Sequence, residues 1–132
     1  MNFPPLLNTK YQQCDSDTKL LFDNLIQKSA CFCTGHSAVD MKEFHYRLQK
    51  HYPKARGRKY QNYCLFTLTP SRRGVTIHLR TDGYTVDSEK FDIAVISESS
   101  YLRGKEWVKF SLCISDDIEE AIMLIKKVYE AE

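Results

Sequence analysis

The sequence has no apolar run long enough to cross a bilayer. Its opening stretch, MNFPPLLNTKYQQ, holds neither a cationic leader nor the apolar core of a signal peptide. The sequence contains five cysteines. An odd number of cysteines does not complete a disulfide framework, so we expect reduced thiols. These absences predict a cytoplasmic protein without a membrane-spanning segment.

Catalytic signatures are missing as well. The sequence contains no phosphate-binding loop, no G-x-G-x-x-G and no G-x-S-x-G motif. The acids between Asp82 and Asp92 fall in turn-rich sequence rather than on a strand beside a lysine, as a metal-dependent nuclease needs. Cys64 and His78 could form a thiol–imidazole pair, but Cys64 falls on the core side of its predicted strand. The lack of these catalytic motifs favours a protein that is not an enzyme and has no cofactor.

The charge, in contrast, is strongly segregated along the chain. Residues 40–80 hold ten Lys/Arg against two acids, a net charge of +8, whereas residues 81–132 hold six against twelve, a net charge of −6. Such segregation indicates a surface that binds polyanions. The alternative is that the two halves fold against each other and their fields partly cancel.

Two helices are predicted in the first half of the chain. Residues 1–14 read as an N-terminal arm, because Pro4-Pro5 blocks a helix there. Residues 15–132 then form a single domain. It begins with a helix near 16–29, where apolar residues recur at helical spacing. A second helix is predicted from Ser37 to Tyr52, and its apolar face carries Met41, Phe44, Leu48 and Tyr52.

The second half changes to a period of two. Strands are predicted in 62–69, 74–81, 93–96 and 106–115, and a last helix follows from Ser115. The predicted fold is therefore α+β, an antiparallel sheet of three to four strands with helices packed on one face, in the order helix, helix, strands, helix. A helix followed by a hairpin is also typical of a winged helix, which ranks second because the usual third helix is missing.

The segment CFCTGH raises the question of a metal site. Cys31, Cys33 and His36 could ligate zinc, but a structural site needs four ligands, commonly in two closely spaced pairs. Cys14 or Cys64 would have to complete the shell from afar. The sequence favours buried or idle thiols and leaves open whether these residues bind a metal.

The segment KARGRKY is the strongest indication of binding. Several cations on one surface neutralise phosphates, and an adjacent aromatic ring can stack on unpaired bases. If the later hairpin folds back beside the second helix, its arginines enlarge the same patch. The predicted nucleic-acid-binding residues are Lys54, Arg56, Arg58, Lys59, Tyr60, Arg72, Arg73 and Arg80, and Tyr63 is a further candidate for stacking.

Several apolar runs carry a distinctive packing pattern: Leu21-Phe22 with Leu25, Val75-x-Ile77-x-Leu79, Trp107-x-Lys109-Phe110-x-Leu112-x-Ile114, and Asp117-Ile118-x-x-Ala121-x-x-Leu124-Ile125-Lys126-x-x-Tyr129. Over residues 20–131 the pattern resembles a small uncharacterised domain family labelled "predicted transport protein". Its members stand alone or accompany larger proteins, including restriction-type nucleases. The resemblance implies an accessory module near nucleic-acid enzymes, and it implies no catalytic residue.

Together these features favour a non-enzymatic accessory module that binds nucleic acid by phosphate neutralisation, with little reading of sequence. The alternative is a module for protein–protein interaction or small-ligand binding. In that case the basic surface meets an acidic protein, or the acidic segment of a second copy in a self-associating dimer. The sequence leaves open which polyanion is bound, and whether it is DNA or RNA.

Overall fold

The computed structural model is α+β, as the sequence predicts, with three helices packed on one face of an antiparallel sheet. The order is helix, helix, strands, helix. Within the described residues, the sheet has six strands rather than the predicted three to four. The structure describes residues 3–33, 35–38, 45–69, 72–82, 85–96 and 106–131, and for residues 35–38 it describes the backbone alone.

The chain begins with two consecutive helices, α1 (Pro5–Gln12) and α2 (Ser16–Ala30). The expectation that the prolines block a helix in the arm was wrong. Pro5 occupies the first position of α1, where no intrahelical N–H is required and the fixed φ suits the helix. Helix α2 matches its predicted span, and Asp15 caps it by accepting a hydrogen bond of 2.7 Å from the Thr18 N–H.

The predicted second helix is replaced by strands. Strand β1 (Gly35–Ala38) pairs with β2 (His45–His51), and β2 pairs in turn with β3. Residues 39–44 of the predicted helix lie outside the described part of the chain. The spacing of four between Leu48 and Tyr52 fits both periods, because it returns to the same face of a helix and of a strand. Pairing with strands on both sides decides in favour of β structure.

The remaining strands complete one antiparallel sheet. They are β3 (Tyr60–Leu68), β4 (Val75–Arg80), β5 (Ala94–Ile96) and β6 (Trp107–Leu112). The strand order is β1-β2-β3-β4-β6-β5, and all neighbours are antiparallel. The short strand β5 lies at one edge and β1 at the other.

The core lies between the sheet and the helices. The inward rows predicted from the period of two are confirmed except for Ile114, which lies beyond the end of β6 and is 55% exposed. The confirmed rows are Cys64, Phe66 and Leu68 in β3, Val75, Ile77 and Leu79 in β4, and Val108, Phe110 and Leu112 in β6. A β-bulge at Leu48/Gln49 leaves Tyr63 without a partner in β2, so Tyr63 also joins the core. A smaller cluster of Leu65 and Trp107, flanked by Ile96, lies apart from this core.

Helix α3 (Ile118–Glu130) closes the fold after a short 3₁₀ turn, Ser115–Asp117. Acidic residues occupy its first turn and Lys127 its last turn, an arrangement that suits the helix dipole at both ends. Its buried stripe packs on α2 and on the central strands β3 and β4. Of the helices in the described segments, none is both long and apolar enough to cross a membrane.

Candidate functional site

The basic loop, which we define as residues 53–59, connects β2 to β3. Backbone hydrogen bonds close it: the Tyr52 N–H donates to the Lys59 carbonyl (2.6 Å), and the Ala55 N–H donates to the Tyr52 carbonyl (3.1 Å). Gly57 provides the turn with a φ of +83°, a conformation that favours glycine. The loop is therefore a closed frame between two paired strands.

Four cationic side chains project from this frame, on Lys54, Arg56, Arg58 and Lys59. All four are exposed, and none forms an ion pair with another residue in the described parts of the chain. The Lys59 ammonium donates to the carbonyl of Ala55, within the loop itself. Four like charges within six residues of a closed loop repel each other.

Tyr60 begins β3 directly after the basic loop. It is 42% exposed, and its ring lies 6.5 Å from the ring of His51 on the paired strand. The two rings form a small aromatic surface at the point where the basic loop joins β2 and β3. Tyr63, the other candidate for stacking, is fully buried, and burial raises its pKa far above the ordinary range. It is not available to a ligand.

Arg80 does not enlarge this surface. Its side chain is only 7% exposed, and its Nε donates to Asp82 at 2.7 Å. A second nitrogen donates to Gln61 at 2.8 Å, and the guanidinium carbon lies 4.0 Å from the centre of the Tyr52 ring. Its charge is thus matched within the protein, and Arg80 acts as a structural residue at the base of the loop.

Lys50 anchors the same region from the other side. Its ammonium is buried and donates to the carbonyl oxygens of Val128 (2.7 Å) and Ala131 (2.6 Å) at the end of α3. Burial lowers the pKa of Lys50, and the nearby Arg80 lowers it further. This role was not predictable from sequence, because the contacts join residues 78 and 81 positions apart.

Arg72 and Arg73 lie at the opposite end of β3 from the basic loop. Strand β3 is nine residues long, and at about 3.4 Å per residue its ends lie roughly 27 Å apart. Both arginines are exposed. Arg73 lies close enough to Asp15 to help lower the pKa of that carboxyl, after the larger effect of its hydrogen bonds with Thr18. Arg72 and Arg73 therefore do not form one patch with the basic loop. The prediction of a joint patch required the hairpin to fold beside a second helix, and strand β2 replaces that helix.

The thiols and imidazoles form no catalytic arrangement in the described residues. Cys64 lies opposite Leu79 in the ladder, while His78 lies opposite Leu65, so Cys64 and His78 face opposite sides of the sheet. Burial raises the pKa of Cys64 well above its ordinary value, which disfavours the thiolate. His78 is buried, and its pKa is lowered to about 4, first by burial and then by Lys109 and His45.

Metal ligands are not gathered in the described part of the chain either, where no group of three or more His, Cys, Asp or Glu residues could hold an ion. Cys31 is exposed and Cys33 is buried. The side chain of His36 lies outside the described residues, so the segment CFCTGH is only partly placed.

Comparison with known proteins adds no assignment. No family model matches the chain, and neither does any curated protein or solved structure. The resemblance to the accessory-domain family stays a prediction. The function is therefore argued from the charges and contacts described above.

Proposed function

We propose that the protein is a non-enzymatic accessory module that binds nucleic acid through the basic loop, without sequence specificity. The observation that carries the proposal is the group of four exposed cations, Lys54, Arg56, Arg58 and Lys59, none of which is paired within the described residues. Phosphate contacts of this kind position a nucleic acid but read no bases. The five free cysteines support a reducing compartment, and we place the module in the cytoplasm.

Binding follows from counterion release and from the rigidity of the loop. Each phosphate that a Lys or Arg neutralises releases condensed counterions, which drives association at low salt. The backbone hydrogen bonds that close the loop constrain the backbone that carries the four cations. Less ordering entropy is then lost on binding. Tyr60 and His51 add a surface on which an unpaired base stacks, so we expect single strands to bind more tightly than duplexes.

Fluorescence anisotropy with a labelled single-stranded oligonucleotide of about 20 nucleotides tests this proposal. With four phosphate contacts, the logarithm of the affinity should fall against the logarithm of salt concentration with a slope of about −3. The double variant Arg56→Gln/Arg58→Gln should weaken binding and reduce the steepness of that slope by about 1.4.

The matched control is Arg72→Gln/Arg73→Gln, which removes the same charge from the far end of β3 and is assayed with an oligonucleotide that has no terminal phosphate. We expect it to leave the slope unchanged. If both double variants lose the same affinity, binding follows net charge rather than the basic loop. If the unmodified protein shows a flat salt response, phosphate neutralisation is not the mechanism.

The alternative partner is an acidic protein surface, including that of a second copy. Exposed acids at the start of α3, Asp116 and Glu119 among them, could meet the basic loop of another molecule. Sedimentation velocity without nucleic acid distinguishes the two functions. A concentration-dependent dimer that Arg56→Gln/Arg58→Gln abolishes, together with no oligonucleotide affinity, would replace nucleic acid with self-association.

A further inference from the structure

A shallow cavity of about 300 Å³ lies on the sheet near strand β5, away from the basic loop. Its polar lining consists of Arg72, Thr76, Lys90, Asp92, Lys109 and Ser111. Of the predicted nucleic-acid-binding residues, Arg72 alone lines this cavity. Its volume is at the small end of the range for ligand pockets.

The sheet register brings two hydroxyl groups and a lysine together in this cavity. Thr76 of β4 lies directly opposite Ser111 of β6, and Lys109 is two residues before Ser111 on the same strand, hence on the same face. Phe110, between them, belongs to the core and also borders the cavity. Two hydroxyl donors and an ammonium thus share one side of the cavity.

The charge of the lining is positive. Three cations, Arg72, Lys90 and Lys109, face one carboxylate, Asp92, which leaves a net charge of +2. Neither Arg72 nor Lys109 forms an ion pair in the described segments, and Lys90 reaches Asp117 only at 3.8 Å. Positive groups with few internal partners are suited to an anion that brings its own oxygen acceptors.

We propose that this cavity binds the phosphate group of a phosphomonoester, as a second site independent of the basic loop. A phosphomonoester carries a charge of about −1.5 to −2 at neutral pH and three acceptor oxygens. That charge matches the lining, and the two hydroxyls with the three cations supply enough donors. A backbone phosphodiester carries about one negative charge and matches less well. The monoester belongs either to a small metabolite or to the 5′ end of an oligonucleotide.

Two-dimensional ¹H–¹⁵N NMR of the full chain tests the site with inorganic phosphate as the probe. Sodium chloride at equal ionic strength is the reference. We expect saturable shifts of the Thr76 and Ser111 amide signals with phosphate and none with chloride. Lys109→Gln and Arg72→Gln should each weaken phosphate binding about tenfold, because each loses a charge-assisted hydrogen bond. The same spectra report whether each variant is folded.

Arg73→Gln is the matched control, since Arg73 is adjacent to Arg72, equally charged and exposed, but does not line the cavity. It should leave the phosphate affinity within about twofold of the original. Shifts that do not saturate, or equal losses in Arg72→Gln and Arg73→Gln, would overturn the site.

Two further probes identify the source of the phosphate. A short oligonucleotide with a 5′-phosphate that displaces inorganic phosphate, when its 5′-hydroxyl counterpart does not, assigns the site to nucleic-acid ends. Phosphate binding with no such competition assigns it to a small metabolite. The proposed function is tested separately, because Arg56→Gln/Arg58→Gln leaves the cavity lining intact.

Discussion

Acid should destabilise this protein through one histidine. His78 is 9% exposed and lies opposite Lys109 in the sheet ladder. The pKa of His78 falls from an ordinary value of 6.5 to about 4, chiefly because of burial, and Lys109 and His45 act in the same direction. Its Nδ1 has no hydrogen-bond partner in the described parts of the structure. The folded state therefore holds a neutral imidazole, whereas the unfolded chain protonates it readily.

The sign and size of the effect follow from proton linkage. Between pH 4 and 6.5 the unfolded state binds more protons than the folded state, so stability rises with pH in this window and is lost as pH falls through it. Integrating the difference gives a loss of about 2 kcal/mol from pH 7 to pH 5, and about 3 kcal/mol from pH 7 to pH 4. Above pH 6.5 the contribution of His78 to the pH dependence disappears.

Urea unfolding at pH 7 and pH 5 measures this loss. The variant His78→Asn should lose about 2 kcal/mol less than the unmodified protein over that interval. His51→Asn is the matched control, because it makes the same substitution at an exposed position. Carboxyl groups titrate in all three proteins and cancel in the comparison. If His78→Asn loses as much stability as the unmodified protein, the reasoning is wrong.

Two other predictions concern stability and are checked by urea unfolding at neutral pH. Gly74→Ala places a Cβ against the carbonyl oxygen of Leu112 at a φ of +94°, so we expect a loss of about 3 kcal/mol or more. Gly57→Ala at φ +83° meets no atom within 4 Å and should lower the free energy of unfolding by about 1 kcal/mol. Equal losses of stability in the two glycine variants would argue against a steric overlap at Gly74. Lys50→Met leaves the last carbonyl groups of α3 without their donor and should cost about 2–3 kcal/mol, whereas a loss below about 0.5 kcal/mol would show that they need none.

The fold was predictable where one hydrophobic period excluded the other. Helix α2, strand β6 and helix α3 were found because their apolar residues fit a single period. Strand β2 was not predicted because the spacing of Leu48 and Tyr52 fits both the helical period and the strand period. Helix α1 was missed because a proline that breaks a helix in its middle is accepted at its start. The local sequence did not decide between these alternatives.

The candidate site was predictable only where its residues are contiguous. The basic loop is a single run of sequence, and its exposure follows from its turn character. Grouping Arg72, Arg73 and Arg80 with it required a topology that the sequence did not specify. Lys90 and Lys109 were not predicted as site residues at all. Lys109 shares a cavity with Arg72 because β4 pairs with β6, and this pairing joins distant segments of the chain.

Lys50 links strand β2, in the middle of the chain, to the end of α3. Strand β2 leads into the basic loop, and the Lys50 ammonium donates hydrogen bonds to carbonyl groups at the C-terminal end of α3. Removing or unfolding the last turn of α3 would leave the buried Lys50 ammonium without these acceptors, next to the basic loop. A protease or a partner protein that acts on α3 would thereby affect the basic loop without contacting it.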